Sequence, residues 1–175
     1  VLKQLRNIKP HKAAGPDQIP AKFLFEFAEE VAPALTLIYN KSLIESNIPA
    51  DWRKAYVTPI YKPGKRDRSN PENYRPISLT SISCKILEHI IFSNIMKHLN
   101  QYNVITDVQH GFRSKRSCNT QLISTINDFS KALNFGEQID SILLDFSKAF
   151  DKVSHRKLCL KLNHYGVTES TNKWI

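Results

Sequence analysis

No stretch of this sequence approaches the ~18–20 consecutive apolar residues that a membrane-spanning helix needs, so a helical membrane protein is not expected. The first residues lack the charged, apolar and small-residue order of a secretory signal. Methionine is almost absent: Met96 stands alone and residue 1 is Val, so the chain is expected to begin inside a longer reading frame. It is expected to be cut at the other end too. Ser170 reads as the N-cap of a helix whose apolar face, at Trp174 and Ile175, is only starting. The three cysteines, Cys84, Cys118 and Cys159, lie far apart with no CxxC or Cys/His ligand spacing. That pattern argues against zinc and for buried, reduced thiols in an intracellular setting. Internal repeats and low-complexity tracts are missing as well. Acidic residues are scarce, 16 against 25 lysines and arginines, which leaves a net charge of +9 and a pI near 9.5.

What is present suits a soluble, globular chain: 41% hydrophobic and 23% charged residues over 175 positions, enough for one domain or part of a larger one. The basic balance fits a nucleic-acid partner. Its distribution says more than its size. Between Arg53 and Arg75 the basic residues Arg53, Lys54, Lys62, Lys65, Arg66, Arg68 and Arg75 face only Asp67 and Glu72. A second cluster is Arg113, Lys115 and Arg116. The alternative is ordinary solvated loop charge.

Residues 10–20 are turn-rich and read as an ordered loop. Phe23, Phe27, Val31, Leu35 and Ile38 then recur at helical spacing, with Pro33 expected to split the run into two helices and Asn47-Ile48-Pro49 to end the second. Residues 55–61 are β-branched and aromatic, and Pro59 confines that strand to an edge or a bulge. Lys62-Pro63-Gly64-Lys65 turns the chain, and Tyr74 to Leu79 is expected to return as the partner strand of a long basic hairpin. The clearest helix spans residues 82–99, with Ile82, Ile86, Leu87, Ile90, Ile91, Ile95 and Leu99 as its stripe and Thr80 or Ser81 as its cap. Another follows Ser117, with Leu122, Ile126, Phe129 and Leu133 inward and a stop near Gly136. Ile142-Leu143-Leu144-Asp145 reads as a buried strand ending in a carboxylate, and Ser154 caps a helix through Leu158, Leu162 and Tyr165 that stops at Gly166. Mixed strands and helices make the class α+β.

Asp145 carries the chemistry. A buried strand ending in a carboxylate presents a hard oxygen ligand at a cleft rim, which nucleotidyl transfer needs: two Mg²⁺ ions ~3.5–4 Å apart activate the 3′-hydroxyl and stabilise the leaving pyrophosphate. The bland alternative is a strand-terminal Asp that starts a turn. Asp145 has company, however. The run Leu144-Asp145-Phe146-Ser147-Lys148-Ala149-Phe150-Asp151-Lys152-Val153 resembles the first catalytic motif of non-long-terminal-repeat reverse transcriptases. Four further motifs resemble the same family, in its order: Lys12 to Asp17, Trp52-Arg53 with Pro59 to Lys65, Asn73 to Leu79, and Gln109 to Ser114. Together they cover about residues 9–167, with the jockey-like branch the nearest in wording.

The resemblance implies the fingers and the start of the palm of a right-hand polymerase, with helices packed on a small mixed sheet of the split βαβ kind. About residues 1–136 would be fingers and leading palm helices, and 137–175 the first catalytic strand and its helix. It implies that Asp145 holds both Mg²⁺ ions (Mn²⁺ being possible), that Phe150 is the steric gate against a ribose hydroxyl, and that Arg75 clamps the triphosphate. Phe146 would lie with Phe150 at the nucleotide. A lysine of the hairpin helps Arg75; the spacing leaves Lys62 and Lys65 both open, with Lys65 preferred. Gly111, Phe112, Arg113 and Arg116 match a segment near template, primer and nucleotide, with core packing as the alternative for Phe112, and Lys148 would face phosphates. Asp151 reads as structural, within the turn. The implied partners are an RNA template, a DNA primer, deoxynucleoside triphosphates and the remaining palm and thumb of the same polypeptide, with no membrane. The implied setting is nucleus and cytoplasm. One departure weighs heavily: the family's later Asp-Asp pair occurs nowhere in these 175 residues, so the chain alone is expected to be inactive. The rival readings are a non-catalytic, basic nucleic-acid-binding remnant and a group II intron-type polymerase.

Overall fold

Helices form where the apolar spacing is helical, and the computed structural model, which describes residues 1–167 and 169–175, shows which face of each turns inward. Residues 1–97 with 159–175 make one compact unit and residues 98–158 a second. The first unit opens with α1 (Leu2–Leu5), a turn-rich loop, α2 (Ala21–Glu26) and α3 (Ala28–Ile44). The buried face is Ala21, Leu24, Ala28, Ala32, Leu35 and Tyr39, not the expected stripe: Phe23, Phe27 and Ile38 are exposed. Alanines at 21, 28 and 32 let neighbouring backbones approach, and six positions spaced three or four apart make a continuous seam. The displaced phenylalanines pack on each other instead, Phe23 and Phe27 with ring centroids 5.2 Å apart.

The chain breaks at Phe27 (φ −100°, ψ 33°) rather than at Pro33, which lies inside α3. Pro33 removes one donor to the carbonyl of Glu29. Glu29 is exposed, so water can take that bond.

Helix α4 (Ile82–Gln101) buries Ile82, Ile86, Leu87 and Ile91 in the same core, with Ile90 and Ile95 partly covered. Each such side chain is worth about 1.5–3 kcal/mol when fully buried. Tyr39 and Trp174 bring polar tips inward, and both find partners: the Tyr39 hydroxyl donates to the Ser83 carbonyl at 2.7 Å and the Trp174 indole to the Ser42 hydroxyl at 2.9 Å. Burial, then the nearby Cys84, pushes the Tyr39 hydroxyl well above its usual range. Trp174 belongs to α7 (Glu169–Trp174), which contains Ser170 instead of being capped by it. Of the three cysteines only Cys84 is buried; Cys118 is exposed and Cys159 half-buried. Burial, then the Glu88 carboxylate, pushes the Cys84 thiol up to about 12.

Strands β1 (Tyr56–Tyr61) and β2 (Tyr74–Leu79) form an antiparallel pair in which Pro59 faces Pro76. The Lys62 N–H bond to the Asn73 carbonyl, 2.8 Å, sets the phase of the ladder. Pairs 60/75 and 58/77 are then hydrogen-bonded, and the two prolines meet at a non-hydrogen-bonded pair, where neither needs an N–H. Both outer edges lack a donor at their centre, which blunts them against further strand pairing.

The turn-rich loop is fixed by Gly15. A Cβ there would stand 2.5 Å from the Ser81 nitrogen and 2.6 Å from the Thr80 carbonyl, so backbone meets backbone. Gly15→Ala is expected to destabilise the chain by about 1–3 kcal/mol through overpacking. An unshifted urea midpoint would show that the loop can move aside.

The second unit contains α5 (Cys118–Asn134), closed by a reciprocal Ser117–Thr120 capping box and by Gly136 at φ 74°. The helix α6 (His155–His164) follows Ser154, whose hydroxyl accepts from the Lys157 N–H at 3.4 Å, and Gly166 at φ 81° ends it. No described residue of 98–158 is buried. The expected inward stripe of α5 is therefore uncovered, with Leu122, Ile126 and Leu133 exposed. The expected strand at 142–145 does not form either; Leu143 is 94% exposed. A strand exists by pairing, and among the described residues the only sheet is β1–β2. The α+β class stands, but the sheet is a two-stranded antiparallel hairpin, and the helices of the first unit pack on one another instead of on a mixed sheet. Among the described residues no helix is long and apolar enough to cross a membrane.

Candidate nucleotide and nucleic-acid site

The hairpin has two unlike faces. One carries Tyr61 and Tyr74, edge to face at 5.2 Å, with the Arg68 guanidinium 5.2 Å above the Tyr61 ring. Pro59, Pro71, Pro76 and Ser69 complete that side as a shallow cleft. The register puts Arg75 on the other face, opposite Ile60 and beside the Thr58/Ile77 pair. The Arg75 guanidinium is exposed and makes no hydrogen bond or ion pair among the described residues.

The turn separates the two lysines that spacing left open. Gly64 at φ 80° closes it, with the Lys65 N–H reaching the Lys62 carbonyl at 3.5 Å. Lys62 Nζ donates to the Glu72 carbonyl at 2.6 Å and so braces strand to loop. The Lys65 and Arg66 side chains, both exposed, have no such partner among the described residues. The loop between the strands orders itself. Asp67 accepts from the Ser69 hydroxyl and N–H at 2.6 and 2.8 Å, which hold its carboxyl below the usual range. The Asn73 side chain donates to the Asp67 carbonyl at 2.7 Å and the Tyr74 hydroxyl to that of Arg68 at 2.8 Å.

In the second unit Asp145, Phe146, Phe150 and Asp151 are all exposed. Between the two acids Lys148 adopts φ 53°, and its carbonyl accepts from the Lys152 N–H at 3.1 Å. Phe112, at φ 58°, sets its ring edge-on to Phe150, centroids 6.1 Å apart. A left-handed conformation costs a bulky residue roughly 1–2 kcal/mol. The contact joins two of the sequence motifs, residues 109–114 and 144–153.

Gly111 has open space where a side chain would be. Arg113 is only 18% exposed, and its Nη1 donates to the carbonyls of Ile105 and Thr106 at 3.2 and 2.7 Å. Arg116 pairs with Asp107 at 3.2 Å and lies 3.4 Å from His110 Nε2, while His110 Nδ1 is 2.9 Å from the Thr120 hydroxyl. Asp107 was missed from sequence; its signal was a lone acid a few residues ahead of two arginines. Among the described residues no group of three or more His, Cys, Asp or Glu side chains is placed to hold a metal ion. Asp145 offers one carboxylate, and a two-ion site requires several; these residues alone do not fit one.

A profile of the family described as reverse transcriptase (RNA-dependent DNA polymerase) matches residues 60–175. This chain belongs to the reverse transcriptase family. It is 30% identical, over 97% of its length, to a probable RNA-directed DNA polymerase from transposon BS of Drosophila melanogaster. It is 31% identical over 92% of its length to the RNA-directed DNA polymerase from mobile element jockey of Drosophila funebris. A Pol polyprotein from the type-1 retrotransposable element R2 of Popillia japonica is 30% identical over 76%. The chain spans less than a fifth of these proteins, 19%, 18% and 18% in turn. Its relatives are polymerases of non-long-terminal-repeat retrotransposons, jockey among them. Both motif groups, that of Arg75 and that of Asp145, lie inside the reverse transcriptase match.

Proposed function

We propose that this chain is the fingers and the beginning of the palm, divided near residue 136, of an enzyme that extends a DNA primer on an RNA template. The observation that carries this is the β1–β2 hairpin: in a reverse transcriptase it holds Arg75 and Lys65 exposed and unpaired among the described residues. A planar, permanently charged fork with free donors is suited to a triphosphate. Lys65 is the preferred helper, because Lys62 already holds the Glu72 carbonyl. Phe150, with Phe146 nearby in the chain, is assigned to the incoming sugar, where a ring would collide with a ribose hydroxyl. Gly111 gives a template backbone room to approach. Arg113 and Arg116 brace their loop through part of each guanidinium and keep other N–H groups for phosphates. Asp145 is the residue assigned to magnesium or manganese. It is one carboxylate of the several that two ions require, and the rest would come from palm segments outside these residues, which is why the isolated chain should not polymerise.

The test is nucleotide kinetics in a full-length polymerase. Loss of a charge-assisted bidentate contact is worth roughly 1.5–3 kcal/mol, so Arg75→Ala should raise the KM for deoxynucleotide about tenfold or more while template affinity holds. An unchanged KM would remove Arg75 from the triphosphate. In the same assay Phe150→Val should admit ribonucleotides; continued rejection would make Phe150 an ordinary packing residue. If binding to nucleic acid survives every substitution and no extension is found even in the full-length wild type, the non-catalytic remnant is the better reading.

A further inference from the structure

One chain of hydrogen bonds, buried at its centre and part-buried at its ends, holds both ends of the basic hairpin. Trp52 lies in the short turn Ala50–Arg53 just ahead of β1, and its indole N–H donates to the Ser83 hydroxyl at 3.1 Å. The Ser83 and Ser81 hydroxyls are 2.7 Å apart. Ser81 follows β2 after Thr80, is fully buried, and donates to Asp17 Oδ2. An indole N–H can only donate and an ionised carboxylate can only accept. The two ends therefore fix the direction of every link, from Trp52 through Ser83 and Ser81 to Asp17. The second Asp17 oxygen accepts from the Ile19 N–H at 3.3 Å, which ties the acid to its own loop. Gly15, two residues earlier, lays that loop directly on the Thr80–Ser81 backbone. Between these roots β1 and β2 are largely exposed, and a two-stranded hairpin has little stability of its own. Its attitude is set where it is anchored.

We propose that Asp17 is a positioning residue for the nucleotide site: its carboxylate ends the hydroxyl relay that fixes both roots of the hairpin, and through them the placement of Arg75 and Lys65. The proposal rests on the reading of Arg75 as a triphosphate contact. Asp17→Ala removes the terminal acceptor. Asp17→Asn keeps the shape but offers one acceptor oxygen for two donors, so the last link must reverse or the Ile19 bond must break.

In the full-length polymerase, Asp17→Ala should raise the KM for deoxynucleotide about tenfold with primed-RNA affinity unchanged, since small misplacements of a positioning group are costly. Asp17→Asn should fall between it and wild type. Added to Arg75→Ala, Asp17→Ala should raise KM less than it does alone, because only the Lys65 contact is left for it to displace. Hydrogen exchange gives a readout independent of activity: amides of residues 56–79 should exchange faster in Asp17→Ala, while those of α3 and α4 keep their protection. Faster exchange across α3 and α4 as well would make Asp17 a general packing residue and overturn the proposal. So would an unchanged KM alongside a raised KM for Arg75→Ala. If Arg75→Ala itself leaves KM unchanged, the Arg75 reading fails, and hairpin exchange then decides alone whether Asp17 holds the roots.

Discussion

A full-length polymerase carrying Asp145→Asn is expected to extend a primed RNA about a thousandfold more slowly than wild type and to bind that RNA equally well. The magnitude follows from the several kcal/mol of charge stabilisation that a catalytic metal supplies and that a missing carboxylate forfeits. The structure makes the result easy to interpret. The Asp145 carboxylate is exposed and makes no hydrogen bond or ion pair among the described residues, so replacing it with an amide of the same shape leaves no broken contact behind. Thermal unfolding of the variant should match wild type, and lost extension would then report on chemistry alone. Asp151→Asn is the control. Its carboxylate is exposed as well, but Asp151 sits within the turn and has no metal role in our reading, so extension should persist. Extension within tenfold of wild type in Asp145→Asn would remove this residue from the metal site. A comparable loss in Asp151→Asn would instead add that acid to it.

Elements whose instructions are local were legible from the residues. The hairpin was announced by two β-branched and aromatic runs around Pro63-Gly64, and α5 by Ser117 at one end and Gly136 at the other; both stand as expected. Instructions that depend on a partner were not legible. Residues 21–39 hold apolar side chains on more than one face, and size decides the choice: alanines at 21, 28 and 32 admit a close neighbour where phenylalanines cannot. Ile142-Leu143-Leu144 has the composition of a strand, but no neighbour pairs with it among the described residues, so composition had nothing to act on. The site divides in the same way. That Arg75, Lys62 and Lys65 share one hairpin could be read because hairpin pairing is a local property; the resemblance alone suggested their roles, and it left Lys62 and Lys65 both open. Asp17 could not be placed, because its partner Ser81 lies 64 residues away and a lone carboxylate in a turn-rich loop carries no sign of what it will meet. Only the Gly15-Pro16-Asp17 wording hinted that the loop was more than a connection.

Between about 50 mM and about 200 mM salt, the hairpin alone should account for roughly a fiftyfold loss of affinity for single-stranded template. The structure sorts the basic residues of this region into those already engaged and those available. Arg53 donates to the Ile48 carbonyl and the Asn47 side chain, Lys54 to Asp51, and Lys62 to the Glu72 carbonyl. Lys65, Arg66 and Arg75 have no hydrogen-bonded partner among the described residues, and Arg68 lies over a neutral ring with its charge uncancelled. These four cations, none paired with an acid among the described residues, would meet four phosphates of a single strand and give a slope near −2.8 for log affinity against log salt, from about −0.7 per phosphate, and a fourfold rise in salt then costs about fiftyfold. The measurement is fluorescence anisotropy with labelled RNA across that range. Replacing Lys65, Arg66, Arg68 and Arg75 together by alanine should flatten the slope by about that amount, whatever the rest of the polymerase contributes. Replacing Lys54 instead should change it far less, since its charge is paired with the Asp51 carboxylate. An unaltered slope in the fourfold variant would mean that the hairpin does not touch the nucleic-acid backbone, and that the basic surface which first suggested such a partner serves only solubility.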